Sequence, residues 1–333
     1  MLRAAGTMGL MIVVENEACP VCHSAAFVRE VESFGEFRGM ECGQCTLQFA
    51  DPLRYDEGAY RRAYSDDEGT EAAYVPSVQW AKELSPGGEE AEWLISAAQR
   101  RALAVLASEL GPGAPVLDIG CGTGWFLVCG RRRGWEMCGL DVGEQNVAVL
   151  RESGFRCATA NVADYPAAWP EPRAVTLFEV LEHLPDPIAF LRALRERFPE
   201  APLVLSVPSP KRWTRLGGVR DLADLPPNHL TRWTRESLEK ALRQVGYGEV
   251  WTEYPAPDGR EFAQVGLRGI LKTRWTGRAL TQADALLPEA GALPPLGEAM
   301  ARWRWKSRIG GPFALAFRAM GWSAISILAV ARR

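Results

Sequence analysis

One stretch, VLDIGCGTG at 116–124, leaves the chain little freedom in how it folds. An apolar run closed by an acid and three alternating glycines reads as a buried strand turning sharply into a helix. Gly120, Gly122 and Gly124 permit the tight turn and let a ligand approach the backbone closely. The same rhythm continues downstream. Strands are predicted near 114–119, 135–141, 155–160, 173–179 and 201–207, and helices near 123–132, 143–153 and 187–197. A helix at 234–246 and a strand at 247–254 follow, and an amphipathic helix runs from Glu89 to Leu110 ahead of the first strand. Alternation at this spacing means βαβ units in a parallel, doubly wound α/β sheet. With 333 residues, 47% of them hydrophobic, the chain can bury one large core and carry a small extra module. A net charge of -3 excludes a polyanion binder built from the whole chain.

The loop's chemistry narrows the ligand. A dinucleotide fingerprint needs glycine where Trp125 stands, and an indole there is expected to obstruct a diphosphate on the helix N-terminus. Asp118 suits a cationic group better than a diphosphate. Strand two ends at Asp141, where a carboxylate can accept hydrogen bonds from two ribose hydroxyls. A ribose, a positive centre and no phosphate describe S-adenosylmethionine.

Eight cysteines divide into two groups. Cys19/Cys22 and Cys42/Cys45 are C-x2-C knuckles 19 residues apart, spaced to close a tetrahedral four-sulfur shell around a structural zinc, with a short hairpin between them. Cys121, Cys129, Cys138 and Cys157 lie in the predicted core and read as small buried hydrophobes. Paired thiol knuckles within an α/β chain favour reduced cysteines and a cytoplasmic protein. The segment Cys19–Cys45 carries two arginines against four glutamates, which argues against nucleic acid as its partner.

These motifs resemble the class I S-adenosylmethionine-dependent methyltransferases. VLDIGCGTG, the LDVG end of strand two, LFEVLEHLPDP at 177–187 and PPNHLTRWTRESLEKALRQVGY at 226–247 are similar to the family's motifs in order and spacing. The resemblance implies a seven-stranded Rossmann-like methyltransferase sheet. It also implies that Gly120, Gly122 and Gly124 line the methionine part, Asp141 the ribose, and Asn161 and Val162 the adenine. Asp118, Cys121, Val142 and Phe178 complete the predicted cofactor site. The ribbon ahead of the core is similar to that of sugar C-methyltransferases and of related natural-product and polysaccharide enzymes.

Two of the three histidines fall in these motifs. His183 follows Glu182 beyond strand four and His229 lies beyond strand five, both on the face where doubly wound folds bind ligands. The acceptor of a methyl group must lose a proton, a task suited to histidine near neutral pH. His183 is the first candidate, because the Pro185–Pro187 turn constrains it. Glu179, Glu182 and His183 are an alternative divalent-ion set, similar to a stretch in some quinone and catechol O-methyltransferases.

The predicted organisation is a leader at 1–14, a zinc ribbon at 15–50, an aromatic connector or lid at 51–88, and a catalytic core at 89–255. A helical insertion at 256–320 then caps the substrate site, and the last core strand lies in 321–333. From 256 onward twelve basic side chains face five acidic ones, interleaved with tryptophans, which makes a membrane surface a candidate contact. The apolar run from Ile309 to Ala331 is expected to split into a helix ending near Met320 and a strand at 325–331 inserted antiparallel beside strand five. No secretory cleavage site precedes Glu15. The favoured activity is methylation of O or C on a small molecule such as a sugar, a nucleotide-linked sugar or a secondary metabolite. The alternatives are an rRNA or tRNA methyltransferase and a quinone or lipid O-methyltransferase at a membrane.

Overall fold

The computed structural model describes residues 11–14, 18–56, 92–215, 224–263 and 296–333. Most of the expected connector (57–88) and the stretch 264–295 of the expected insertion lie outside the described residues.

The core is a seven-stranded sheet built on apolar runs at the predicted places. Its strands are β6 (Pro115–Ile119), β7 (Glu136–Leu140), β8 (Arg156–Ala158), β9 (Ala174–Phe178), β10 (Leu203–Pro208), β12 (Glu249–Glu253) and β13 (Ser326–Arg332). In space they run β12-β13-β10-β9-β6-β7-β8. The β9–β6, β6–β7, β7–β8 and β10–β9 pairs are parallel, whereas β13 runs antiparallel between β10 and β12. Every residue of β9 is buried, as expected for a strand covered by helices on both faces. Adjacent β6 and β7 lie to one side of the point where the strand order reverses and β9 to the other, so their carboxyl ends open a crevice for ligand.

Helices α1 (Ala97–Ala107), α2 (Trp125–Arg132), α3 (Glu144–Glu152), α4 (Pro187–Arg197), α5 (Arg235–Gln244) and α6 (Leu296–Ala319) accompany the sheet. Their starts follow local chemistry. Ser96 and Gln99 form a reciprocal capping box, so α1 begins at Ala97, later than the apolar pattern suggests. Asp186 caps α4 through Ala189 N–H with Pro187 in the first turn, which makes the constrained turn after His183 a helix start.

The N-terminal module is a second, small sheet. Strands β2 (Val28–Phe34) and β3 (Phe37–Cys42) form the expected hairpin, turning at Gly35 with φ +56°, and β3 pairs with β4 (Gln48–Asp51). Two features depart from expectation. Residues Met11–Val14, read as part of a loose leader, form β1 and pair antiparallel with β5 (Leu53–Asp56). The ribbon's sheet gains a fourth strand, β11 (Thr231–Arg232), from the catalytic core: Thr231 pairs with Phe49 and Arg232 with Gln48. The ribbon is therefore joined to the core through backbone hydrogen bonds.

Candidate functional site

The three loop glycines serve three different purposes. Gly120 has φ +69°, and a Cβ there would meet Val180 Cγ2 at 2.3 Å; at Gly124, φ +76°, it would meet Leu150 Cδ2 at 2.3 Å. Both therefore answer to packing as well as to backbone conformation. Gly122 has φ +49° and nothing within 4 Å of a built Cβ, so it faces open space in the crevice, a cradle that a side chain would fill. Asp141 ties this loop to β7: Oδ2 accepts from Gly122 N–H at 2.7 Å and Oδ1 from Gly143 N–H at 2.8 Å. Burial raises the Asp141 carboxyl above its ordinary range, and the backbone N–H groups oppose that rise. Val142 is exposed beside it, Asn161 is exposed ahead of the buried Val162, and Phe178 is buried against Phe126 with centroids 4.6 Å apart. Apart from Asp118, the predicted cofactor residues thus stand at the carboxyl ends of β6 to β9, around the crevice beside the strand-order reversal.

Two expectations change. Asp118 is only 2% exposed and lies beneath the loop, with Oδ1 accepting from Thr176 Oγ1 at 2.6 Å. Burial pushes its carboxyl up to about 7, so it supports the loop from below and does not line the crevice. Trp125 is buried in the core cluster with Leu103 and Leu150, not laid across the helix N-terminus. The indole therefore does not obstruct the helix N-terminus, and the sequence argument against a dinucleotide drawn from it lapses.

Beyond β9 and β10 the chain brings His183 and His229 together, with ring centroids 4.7 Å apart and nearly perpendicular. Nδ1 of His183 lies 2.7 Å from the Asn228 carbonyl, an acceptor only, so Nδ1 carries the proton and Nε2 the lone pair. Burial first, and His229 second, push the His183 pKa down to about 3. His229 Nδ1 lies 3.3 Å from Asp224 Oδ1, and Asp224 in turn pairs with Arg212. His229 Nε2 is 3.9 Å from Glu182 Oε1. Glu182 is fully buried and neither carboxylate oxygen has a hydrogen-bond partner; burial, then Glu179, drive its pKa well above the carboxylate range. Ligand atoms of Glu182, His183 and His229 lie within 4.8 Å of one another. Glu179, grouped with the first two in the sequence reading, accepts instead from Ser206 Oγ at 2.6 Å and holds a left-handed φ of +54°, a strained conformation at the rim of the site.

Asp224, Arg212 and Asn228 escaped the sequence reading. Asp224 and Asn228 are close enough to His229 in sequence to have been weighed, but Arg212 reaches the site only through a returning loop. The ribbon also enters here. Ala50 N–H donates to the Leu230 carbonyl and Leu230 N–H donates to the Glu182 carbonyl, both at 2.8 Å, so ribbon strand β4 and the His229 and Glu182 loops form one hydrogen-bonded ladder.

The four ribbon thiols converge as predicted. Cys19 and Cys45 sulfurs are 3.5 Å apart, those of Cys22 and Cys42 3.4 Å, and all four lie within 4.8 Å. Both knuckles fold alike. His23 N–H donates to the Cys19 carbonyl and Thr46 N–H to that of Cys42, and His23 and Thr46 take left-handed φ values of 57° and 62°.

The family pattern described as Methyltransferase domain matches residues 91–251, within the predicted core. A ubiquinone biosynthesis O-methyltransferase of Hahella chejuensis is 30% identical over 174 residues, 44% of this chain and 72% of that protein. Its counterpart in Idiomarina loihiensis is 40% identical over 91 residues, and the match spans only 36% of that protein. Among solved structures, an S-adenosylmethionine-dependent methyltransferase from Archaeoglobus fulgidus is 17% identical, covering 71% of this chain and 92% of its own, with a TM-score of 0.45. With its glycine loop, acidic β7 end and reversed last strand, the chain belongs to the class I S-adenosylmethionine-dependent methyltransferases.

Proposed function

We propose that this enzyme methylates an oxygen or carbon of a small-molecule acceptor, a sugar, nucleotide-linked sugar or secondary metabolite, with His229 as general base. When bound, S-adenosylmethionine supplies the methyl group on a sulfonium. Gly122 leaves room for it, and Asp141 is placed to exchange its loop contacts for the ribose hydroxyls. The Asp224–His229 pair carries the reading: Asp224, fixed by Arg212, holds the Nδ1 proton, so Nε2 can take the acceptor's proton. His183, the first candidate from sequence, is too weak a base at neutral pH and shapes the site as a neutral ring.

The ribbon's surface favours a small acceptor over RNA. Arg29, Arg38, Arg54 and Arg232 are paired with Glu41, Asp51, Glu36 and Glu32, which leaves little positive field for phosphates. The relatives named for ubiquinone biosynthesis support a quinone or other lipid as the second acceptor class. Purified enzyme incubated with methyl-labelled S-adenosylmethionine and separate small-molecule, lipid and RNA extracts tests the choice. Label in water-soluble small molecules is expected; label in lipid selects the second class, and label in RNA overturns both.

Cys19, Cys22, Cys42 and Cys45 are proposed to hold a structural zinc. Four converging sulfurs from two equivalent knuckles fit a closed tetrahedral shell, which leaves no position for substrate. Free thiols there and in the core favour a reducing compartment, the cytoplasm. One zinc per chain by elemental analysis, lost in Cys42→Ser, is the expected result.

A second reading of the histidine pair follows from Glu182. Its oxygens have no hydrogen-bond partner among the described residues and lie close to the His183 and His229 ring nitrogens, while Asn228 and Asp224 orient the rings from behind as in metal sites. These three residues would hold a divalent ion that could polarise an acceptor oxygen. Calorimetric titration of the zinc-loaded protein with Mg²⁺ or Mn²⁺ decides: saturable binding lost in Glu182→Gln supports the ion, and its absence leaves His229 as base alone.

A further inference from the structure

Helix α6 is apolar on two sides, and among the described residues only one of them is covered. Met300, Trp303, Gly310 and Ala314, spaced at helical intervals, are buried against the core, where Gly310 closes on Phe262. The opposite side carries Trp305 and Ile309, with Leu315 beside them, and all three are exposed; Phe313 is half exposed at the border, where it stacks on Phe262 at 5.4 Å, and Met320 directly follows the helix and is exposed too. Among the described residues only three other large hydrophobic side chains stand out in solvent, Phe27, Val31 and Val142, and none of them lies on this helix. Five cations, Arg302, Arg304, Lys306, Arg308 and Arg318, share this segment with a single acid, Glu298, which pairs with Arg302 at 3.3 Å and leaves a net positive segment.

We propose that this outward side of α6 docks on an anionic phospholipid surface. A helix that buries a tryptophan and aliphatic anchors just below the headgroups, with basic side chains at the headgroup level, gains from both apolar burial and charge. The charge singles out this occupant, because a second copy of the chain would bring the same positive face against itself. The helix is not a span, since no helix among the described residues is long and apolar enough to cross a membrane. Trp213, next to Arg212 of the His229 network, stacks on Phe262 and Phe317 at 5.3 and 5.4 Å, so the covered side of α6 is anchored to the same loop that supports His229.

Flotation of the full zinc-loaded chain with vesicles of phosphatidylglycerol and phosphatidylcholine, against phosphatidylcholine alone, tests the proposal. Binding to the anionic vesicles only, weakened by salt, is expected. The double variant Trp305→Glu/Leu315→Glu, at side chains 65% and 68% exposed, should partition at least about a hundredfold less while melting and binding S-adenosylmethionine as the parent does. The proposal is overturned if anionic vesicles recruit no protein or if the double variant floats unchanged. It is likewise overturned if light scattering shows a dimer that the variant splits, which would mean that a second copy covers the face.

Discussion

The cofactor crevice and the acceptor site stand side by side at the carboxyl ends of one sheet, yet they are built in opposite ways. The crevice is local: Gly120, Gly122, Gly124 and Asp141 fall within 22 residues, and Asp141 holds the loop through two backbone amides. The acceptor site is assembled from distant parts. Its His183–Asn228 bond spans 45 residues, and the ladder through Leu230 reaches back to Ala50 in the ribbon. The cofactor half should therefore tolerate damage elsewhere, and the acceptor half should not.

Zinc removal gives the strongest test of this difference. A structural four-sulfur site contributes on the order of 10 kcal/mol to the folding of its module. Chelation, or Cys42→Ser, should unfold the ribbon and release the Ala50–Leu230–Glu182 ladder. Turnover should collapse while calorimetry finds S-adenosylmethionine affinity nearly intact. Equal loss of both would erase the distinction between the two halves.

Replacement of the base comes next. His229→Asn should lower turnover by about a hundredfold to ten-thousandfold, with unchanged cofactor affinity. Asp224→Asn should follow in the same direction, since the imidazole would lose its orienting carboxylate. If His229→Asn turns over normally on the identified acceptor, proximity carries the reaction.

On the cofactor side the expected effect is smaller. Asp141→Ala removes a charged acceptor, worth roughly 1.5–3 kcal/mol in hydrogen bonding, and affinity for S-adenosylmethionine should fall accordingly. The loss should appear in KM and in direct binding, the inverse of the His229 pattern.

The last effect is read in stability and not in turnover, and it is one of pH. Burial depresses the His183 pKa to about 3, below the unfolded value of about 6.5, so the neutral ring stabilises the fold. That contribution is fully present above pH 6.5 and is lost as pH falls toward 3. In melts of the zinc-loaded protein, His183→Gln should lose less stability than the parent over this interval. Parallel pH profiles would place the ring in a more solvated setting than the structure describes.

The fold was legible because its signals are local. Apolar runs and the glycine turn place the core strands within a few residues of their predicted bounds, whereas the start of α1 was set by the Ser96–Gln99 cap, which the apolar pattern does not show; the antiparallel last strand was readable from the broken apolar run at 309–331. Trp125 shows the limit of such reading: its side chain belongs to the core, but a motif position alone does not say which way an indole points. Asp118 shows the same limit, because its partner Thr176 lies 58 residues away on a neighbouring strand.

Sequence by itself determined the methyltransferase core, the cysteine knuckles and the two histidines, since each depends on residue type at short spacing. Only the tertiary structure decided how they work together. It put His229 in place of Glu179 beside Glu182 and His183, gave His229 its Asp224–Arg212 support, and tied the ribbon to the proposed acceptor site through β11. Burial and long-range contact set those roles: the desolvation that weakens His183 and the pairing that orients His229 come from side chains far apart in the chain, which no local pattern encodes.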